Sequence, residues 1–444
     1  MISTSAGTGV DRGQWTVVGR LDDPFLATGG AVGRWRLTVD GGVITSLRPL
    51  TGPGPASPCA DAHGDGGEPA LVLVPLLCNG HDHGRGAGTV DAGIPDAPLE
   101  EWLPLLSRPV RRCGQDELVG LAAAAMLRAG IGAAVLCVNP QTSDVEGEVL
   151  AAAHAAAAAG IRAAVVYPVH DTMEDPAGRS RTAPGAGRAA TETVIAAAER
   201  VAARVEGVGC EVQLGPVGPQ WVAEDTLARL AAHSAETGRR LHLHLLESPG
   251  QRHWADRVYP DGLLPALDRL GVLSPLTTVA HGTHLRDDEL ALLDARGVTL
   301  VLNASSNLRL ASGVAPVARA VARMGRVGLG LDGLALSDDH DGWAELRLAR
   351  GLWQGQTRRR VPGADALALA AAGARAALGS AAPASPAQGG PADFALVDVG
   401  PWRHLLGHPA WPLADILTAA AGPAQVREVW VAGRRPRPHR AARG

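Results

Sequence analysis

The chain of 444 residues is long enough for roughly two to three domains, or for one large barrel with an appendage. Hydrophobic residues make up 46% and charged residues 19%, which excludes a disordered polyelectrolyte, and a net charge of -4 argues against a nucleic-acid binder. All 41 basic residues are arginine, so the chain cannot form a Schiff base on lysine, hold a nucleotide with a P-loop lysine, or bridge two metals through a carbamylated lysine.

The segment Met1 to Trp15 has neither the basic start nor the apolar run of a signal peptide, and the alanine-rich stretches are broken before the ~20 residues of a membrane span. Cys59, Cys78, Cys113, Cys137 and Cys210 are odd in number and lack CxxC spacing, so no disulfide framework or zinc ribbon is indicated. A cytoplasmic protein is expected. WTVVG from Trp15 and WRLTVD from Trp35 alternate as strands do, and a Pro/Gly/Ala-rich linker begins at Thr51. A second such linker begins at Gly379, followed by the strand-like DFALVDV from Asp393 and VREVWVAG from Val426. These ends suggest one small β-sandwich domain built from residues 1–68 and 385–444, closing on a solvated basic tail from Arg434.

Residues 69–384 alternate apolar β-branched runs with alanine- and leucine-rich segments of helical period. Eight strands are expected: LVLVPLL from Leu71, GAAVLCV from Gly132, AAVVYPV from Ala163, EVQLGPV from Glu211, LHLHLL from Leu241, TTVAH from Thr277, VTLVLN from Val298 and VGLGLD from Val327. Eight βα units read as an α/β chain closed into a (β/α)8 TIM-like barrel. The Gly- and Pro-rich loop after His170, over 171–190, is expected either to cover the barrel mouth as a lid or to be an inert insertion.

The strand ends carry an uncommon set of polar residues. His81 and His83 stand two apart after the first strand; His242 and His244 share one face of the fifth, with Glu247 just beyond; His281 ends the sixth and Asp332 the eighth. Barrel active sites lie at the C-terminal strand ends, where these residues converge. Burying so many imidazoles and carboxylates is costly unless they are paired or bind metal, since each unsatisfied polar group costs roughly 1–3 kcal/mol. Such donors suit zinc, with iron(II) or manganese as alternatives, and a catalytic ion keeps one position open for water.

The motifs HDHGRG from His81, HLLES from His244, AHGTHL from Ala280, NASSNLRLASGVAP from Asn303 and GLGLDG from Gly328 occur in that order. With the end-to-end β domain, they make the chain resemble the mononuclear branch of the amidohydrolase superfamily, which contains cytosine, guanine, pterin and adenosylhomocysteine deaminases and triazine hydrolases. The resemblance implies one divalent ion held by His81, His83, His244 and Asp332, with Glu247 and His281 as acid/base and polarising groups and Asp332 also as proton acceptor. An ion of this kind lowers the pKa of bound water from 15.7 to roughly 7. Attack at a C=N carbon bearing an amino group would release ammonia. The leading expectation is therefore a hydrolytic deaminase of a purine, pterin, pyrimidine or triazine-like ring. Hydrolysis of a cyclic or acyl amide is the alternative within enzymes, and an inactive ligand-binding barrel the alternative outside them.

Other polar residues have plainer readings. By the layering of barrel interiors, His242 lies below His244 and bonds a neighbour, while His284 caps or orients the following helix. His154, His233 and His253 read as surface or packing residues and Cys78 as a small buried one. For the substrate, Gln220 can read a ring edge and Trp221 can stack on it, and Arg85 can pair with a carboxylate or carbonyl. His170 and Asn303 reach the same rim, as do Asp171, Asn307, Asp338, Asp339 and His340, most of them in supporting roles. The expected partner is a small-molecule substrate, without nucleic acid or membrane; self-association is left open.

Overall fold

The computed structural model describes residues 12–20, 32–50, 70–107, 113–174, 180–182, 187–334, 338–379, 382 and 386–436. The chain's first eleven residues, the linker from Thr51, Cys59, parts of the 171–190 loop and the last eight residues lie outside them. The strands, in chain order, are β1 (Gly13–Arg20), β2 (Val32–Asp40), β3 (Val43–Pro49), β4 (Leu71–Pro75), β5 (Leu77–Asp82), β6 (Ile131–Cys137), β7 (Arg162–Val169), β8 (Thr172–Glu174), β9 (Ser180–Thr182), β10 (Cys210–Pro216), β11 (Leu241–Leu245), β12 (Thr277–His281), β13 (Thr299–Leu302), β14 (Val327–Leu329), β15 (Phe394–Asp398) and β16 (Val426–Trp430).

Eight parallel strands follow one another in the order β5-β6-β7-β10-β11-β12-β13-β14, each preceded or followed by a helix that covers the outer face. The pleat explains the sequence pattern. Leu241, Leu243 and Leu245 face the helices and join the large apolar core, so His242 and His244 face the barrel axis. By the same parity Val301 points inward, packing with Cys78, Val135, Cys137 and Val166, and Asn303 lies one layer above it. Closure between β14 and β5 uses the Asp332 amide, which donates to the His81 carbonyl at 2.9 Å, and the Leu331 amide, which donates to Asn79 Oδ1 at 2.9 Å. A side chain at Gly330 would stand 2.8 Å from the His81 carbonyl oxygen, so glycine is what allows this approach.

The two chain ends meet in a six-stranded sheet of order β16-β15-β4-β1-β2-β3. The Ile44 amide donates to the Gly390 carbonyl at 3.0 Å, drawing β3 toward β15 around a core that includes Trp35, Leu37, Ile44, Phe394 and Trp430. Here the reading of Leu71–Leu77 as a single barrel strand is corrected. The run divides at Leu76: β4 pairs with β1 and β15 in the composite sheet, and the barrel begins with β5. Both halves are buried on both faces, so periodicity cannot mark the division. Among the described residues no helix is long and apolar enough to cross a membrane.

Candidate metal centre and active site

The β5–β6 pairing shifts register between Asn79 and Asp82. Asp82 fixes the resulting turn, accepting from the Gly84 amide at 2.7 Å, the Asn79 side-chain amide at 2.7 Å and the Gly333 amide at 3.0 Å. His81 and His83, on either side of it, both reach the barrel axis, with ring centroids 5.3 Å apart. His83 Nδ1 is 3.1 Å from the Cys137 carbonyl, and His244 Nδ1 is 2.7 Å from the Val217 carbonyl. A carbonyl only accepts, so each of these nitrogens carries the ring's proton and each Nε2 is a bare lone pair.

Those two lone pairs face each other at 3.2 Å, and Asp332 Oδ1 lies 3.3 Å from Nε2 of both His81 and His83. Bonds of ~2.0–2.2 Å at tetrahedral angles place neighbouring ligand atoms ~3.3–3.6 Å apart, so His81, His83 and Asp332 have the spacing of donors to one divalent ion, with His244 facing His83. Burial lowers the pKa of all three imidazoles, to about 4 for His244 and well below the usual range for His83, so they are neutral as ligation requires. Burial alone would raise the Asp332 carboxyl. A proton on His81 Nε2 and charge on His83 and His281 would act the other way, holding it well below the ordinary carboxylate range, and beside neutral imidazoles a bound divalent ion acts in that same direction. His81, His83 and Asp332 form one group that could hold a metal ion, and His81, His244 and His281 another.

Glu247 and His281 complete the cluster, with Glu247 Oε2 3.6 Å from His281 Nε2. Burial, then Asp332 and then Glu100 push the Glu247 carboxyl well above its usual range, opposite in direction to Asp332. His281 Nδ1 bonds to Asn307 Oδ1 at 2.9 Å, and the Asn307 amide nitrogen donates to Thr283 Oγ1 at 2.8 Å. That chain directs the His281 proton to Nδ1 and leaves Nε2 as an acceptor in the site. Burial lowers its pKa to about 4. Leu246, His281 and Asp332 adopt positive φ of 48°, 69° and 59° at the ends of β11, β12 and β14. Such strain is borne by the surrounding packing and marks where side-chain direction matters more than backbone comfort.

The expected residues thus divide. His81, His83, His244, Glu247, His281 and Asp332 come together. Arg85 lies at the edge of the cluster, its Nη1 donating to the Asp332 carbonyl at 3.0 Å and its guanidinium 5.3 Å from the centre of the Trp102 ring. Asn303 is fully buried at the end of β13, and neither polar atom of its amide has a protein hydrogen-bond partner. Gln220 is buried and Trp221 half-buried in the short helix Pro219–Trp221 after β10, at the same end of the barrel. His170 is exposed at the end of β7, whereas Asp171 bonds the start of the helix Glu224–Thr237, accepting from the Ala223 amide and the Thr226 hydroxyl. His284 bonds the Ser312 carbonyl and His233 bonds Glu199, both structural roles, while His154 and His253 are exposed. Burial pushes the Cys78 thiol up to about 12, as for an inert core residue.

Two supporting residues come from one motif. In NASSN, Ser306 Oγ donates to Asp332 Oδ2 while Asn307 orients His281, so a single turn of helix serves two strand ends. Asn307 was legible only as a rim residue, and Ser306 carried no signal in the sequence.

The amidohydrolase family model matches residues 72–435. The 5'-deoxyadenosine deaminase of Methanothermobacter thermautotrophicus is 28% identical over 410 residues, covering 87% of each chain. The 8-oxoguanine deaminase of Pseudomonas aeruginosa is 29% identical, covering 87% of this chain and 86% of that protein. A 5-methylthioadenosine/S-adenosylhomocysteine deaminase of Dictyoglomus thermophilum reaches 34% identity, but over 50% of this chain and 52% of its own length. Among solved structures, an adenosine deaminase from Xanthomonas campestris with bound zinc superposes with a TM-score of 0.70 at 26% identity, covering 90% of this chain and 88% of that one. The site geometry and these similarities agree, and the chain belongs to the amidohydrolase family.

Proposed function

We propose that this protein is a metal-dependent hydrolytic deaminase that releases ammonia from an amino-substituted nitrogen heterocycle. The observation that carries the reading is the convergence of two carboxyl groups, Glu247 and Asp332, on the same buried imidazole cluster, with Glu247 Oε2 3.6 Å from His281 Nε2. Replacing a ring amino group by oxygen needs both a proton donor and a proton acceptor. A divalent ion, when bound, supplies Lewis-acid activation of water. Asp332, fixed by Ser306, takes up a proton. Glu247 hands its proton to the ring nitrogen, which makes the C=N carbon more electrophilic, and His281 accepts a hydrogen bond at Nε2 that orients the attacking water. Asp332 then passes its proton to the amino group, which leaves as ammonia, and the hydroxyl proton returns to Glu247 as the ring gains a carbonyl.

Arg85, Asn303, Gln220 and Trp221 are the proposed substrate contacts, with His170 the outermost. Asn303 is the strongest of them, because its amide faces the barrel axis with both polar atoms free. We assign the protein to the cytoplasm, where Cys78, Cys113, Cys137 and Cys210 stay as free thiols, and expect a small-molecule substrate and no nucleic-acid partner. The test is ammonia release by zinc-loaded protein across a panel of aminated purines, pterins, pyrimidines and triazines. A new carboxylate in place of ammonia and a ring carbonyl would move the assignment to amide hydrolysis.

A further inference from the structure

Each imidazole of the cluster has its Nδ1 held by an acceptor, so that its Nε2 faces the centre. For His83 and His244 the acceptor is a backbone carbonyl, and for His281 it is the Asn307 side chain. His81 has no carbonyl. Its Nδ1 lies 2.8 Å from Nε2 of His242, with the two rings coplanar to within 6°, and 3.6 Å from Cys137 Sγ. His242 is 1% exposed, its own Nδ1 is buried without a partner, and its strand places it one layer below His244.

Only one proton arrangement is compatible with His81 facing the ion through Nε2. His81 must carry its proton on Nδ1 and donate it, so His242 must accept at Nε2 and carry its own proton on Nδ1. The orphaned Nδ1–H is then the cost of that arrangement. With the donor and acceptor exchanged, His81 would hold its proton on Nε2 and could not ligate. We propose that His242 is a positioning residue for the metal centre: it acts through His81, fixing that ligand's tautomer and ring plane. The inference rests on the metal-centre reading above and adds to it a fifth histidine that touches neither ion nor substrate.

The measurement is zinc affinity, by chelator competition, of the full-length protein and its His242→Leu and His242→Gln variants, with the visible spectrum of the cobalt-substituted forms alongside. Leucine removes the acceptor, whereas glutamine can present an oxygen close to where Nε2 stands. His242→Leu is expected to bind zinc about 10–100-fold more weakly, with an altered cobalt spectrum, and His242→Gln to recover most of the affinity and the spectrum. Wild-type affinity in a folded His242→Leu would overturn the proposal, as would equal losses in both variants. Loss of a second equivalent of zinc from wild-type stoichiometry would overturn it in favour of a metal held by His81, Cys137 and His242. A wild-type protein that binds no zinc would instead sink the metal-centre reading itself. If the variants do not fold, histidine-15N-labelled zinc protein decides: the His81 Nδ1–H should show coupling to a second imidazole nitrogen, and its absence overturns the proposal.

Discussion

His281 Nε2 and Glu247 Oε2 stand 3.6 Å apart at the ends of neighbouring strands, yet they do not form an ion pair. Burial lowers the imidazole to about 4, so it is neutral near pH 7, and burial, Asp332 and Glu100 raise the carboxyl well above its usual range. In the proposed reaction Glu247 gives its proton to the substrate ring. Glu247→Gln keeps the size and a hydrogen-bond donor but has no proton to give. It is expected to lower kcat by about 10²–10⁴-fold with zinc content unchanged. Steady-state kinetics with metal analysis on the same sample would expose a contrary result.

In the proposed reaction Asn307 acts through His281, to which it is hydrogen-bonded. In Asn307→Leu the acceptor at His281 Nδ1 is lost and the proton is free to move to Nε2, which converts the site's acceptor into a donor. We expect kcat to fall while KM changes little, because the ring-binding wall is untouched. Equal proportional changes in both constants would argue that the helix Ala304–Arg309 has shifted as a whole.

The six central side chains were legible because a barrel of regular βα units sends its C-terminal strand ends to one place, and polar residues at those positions stand out against apolar runs. His242 was legible for the same reason, since two histidines on one strand face must occupy successive layers. Ser306 was not, because its bond to Asp332 depends on how the short helix Ala304–Arg309 leans toward the next strand end, and spacing along the chain does not encode that. The division of Leu71–Leu77 was also hidden. Pairing partners nearly the whole chain apart, β4 with β15, decide it, and the local apolar run is the same on either side.

Removing the ion should weaken the fold as well as the activity. Zinc that binds the folded chain at 100 times its Kd contributes about 2.7 kcal/mol, so chelator-treated protein should melt earlier, and both Tm and ammonia release should return on adding zinc. The stripped protein should also be acid-sensitive. His244 and His281 titrate near 4 when folded against 6.5 in an unfolded chain, so between these values the unfolded state binds more protons. Their stabilisation is complete above about pH 6.5 and is lost as pH falls toward 4, by at most about 3 kcal/mol per imidazole. Glu247 opposes this, because its raised pKa favours the folded state at low pH and ceases to do so as pH rises. Urea midpoints of the stripped protein should therefore fall from pH 7 to pH 4.5, and fall more steeply in Glu247→Gln. A flat profile in that variant would mean that the imidazoles are open to water.

The end of the barrel opposite the site offers a test of the fold alone. Residues 369–373 form a π-type turn under the strands, and a side chain at Gly373 would lie 1.9 Å from the Val327 carbonyl oxygen. That oxygen belongs to the backbone of β14 and cannot swing aside, so Gly373→Ala must displace either the strand or the turn. Overpacking of this kind costs about 1–3 kcal/mol. Gly351 provides the contrast: it is exposed in the helix Gly342–Thr357, with nothing within 4 Å of an added methyl. Gly351→Ala should stabilise by about 0.8–1 kcal/mol through helix propensity. Denaturant midpoints measured on both variants should move in opposite directions. The kcat of folded Gly373→Ala should stay near wild type, because Asp332 is held at the far end of the same strand by the His81 carbonyl and Ser306. A large loss of kcat there would mean that the base and mouth of β14 move together.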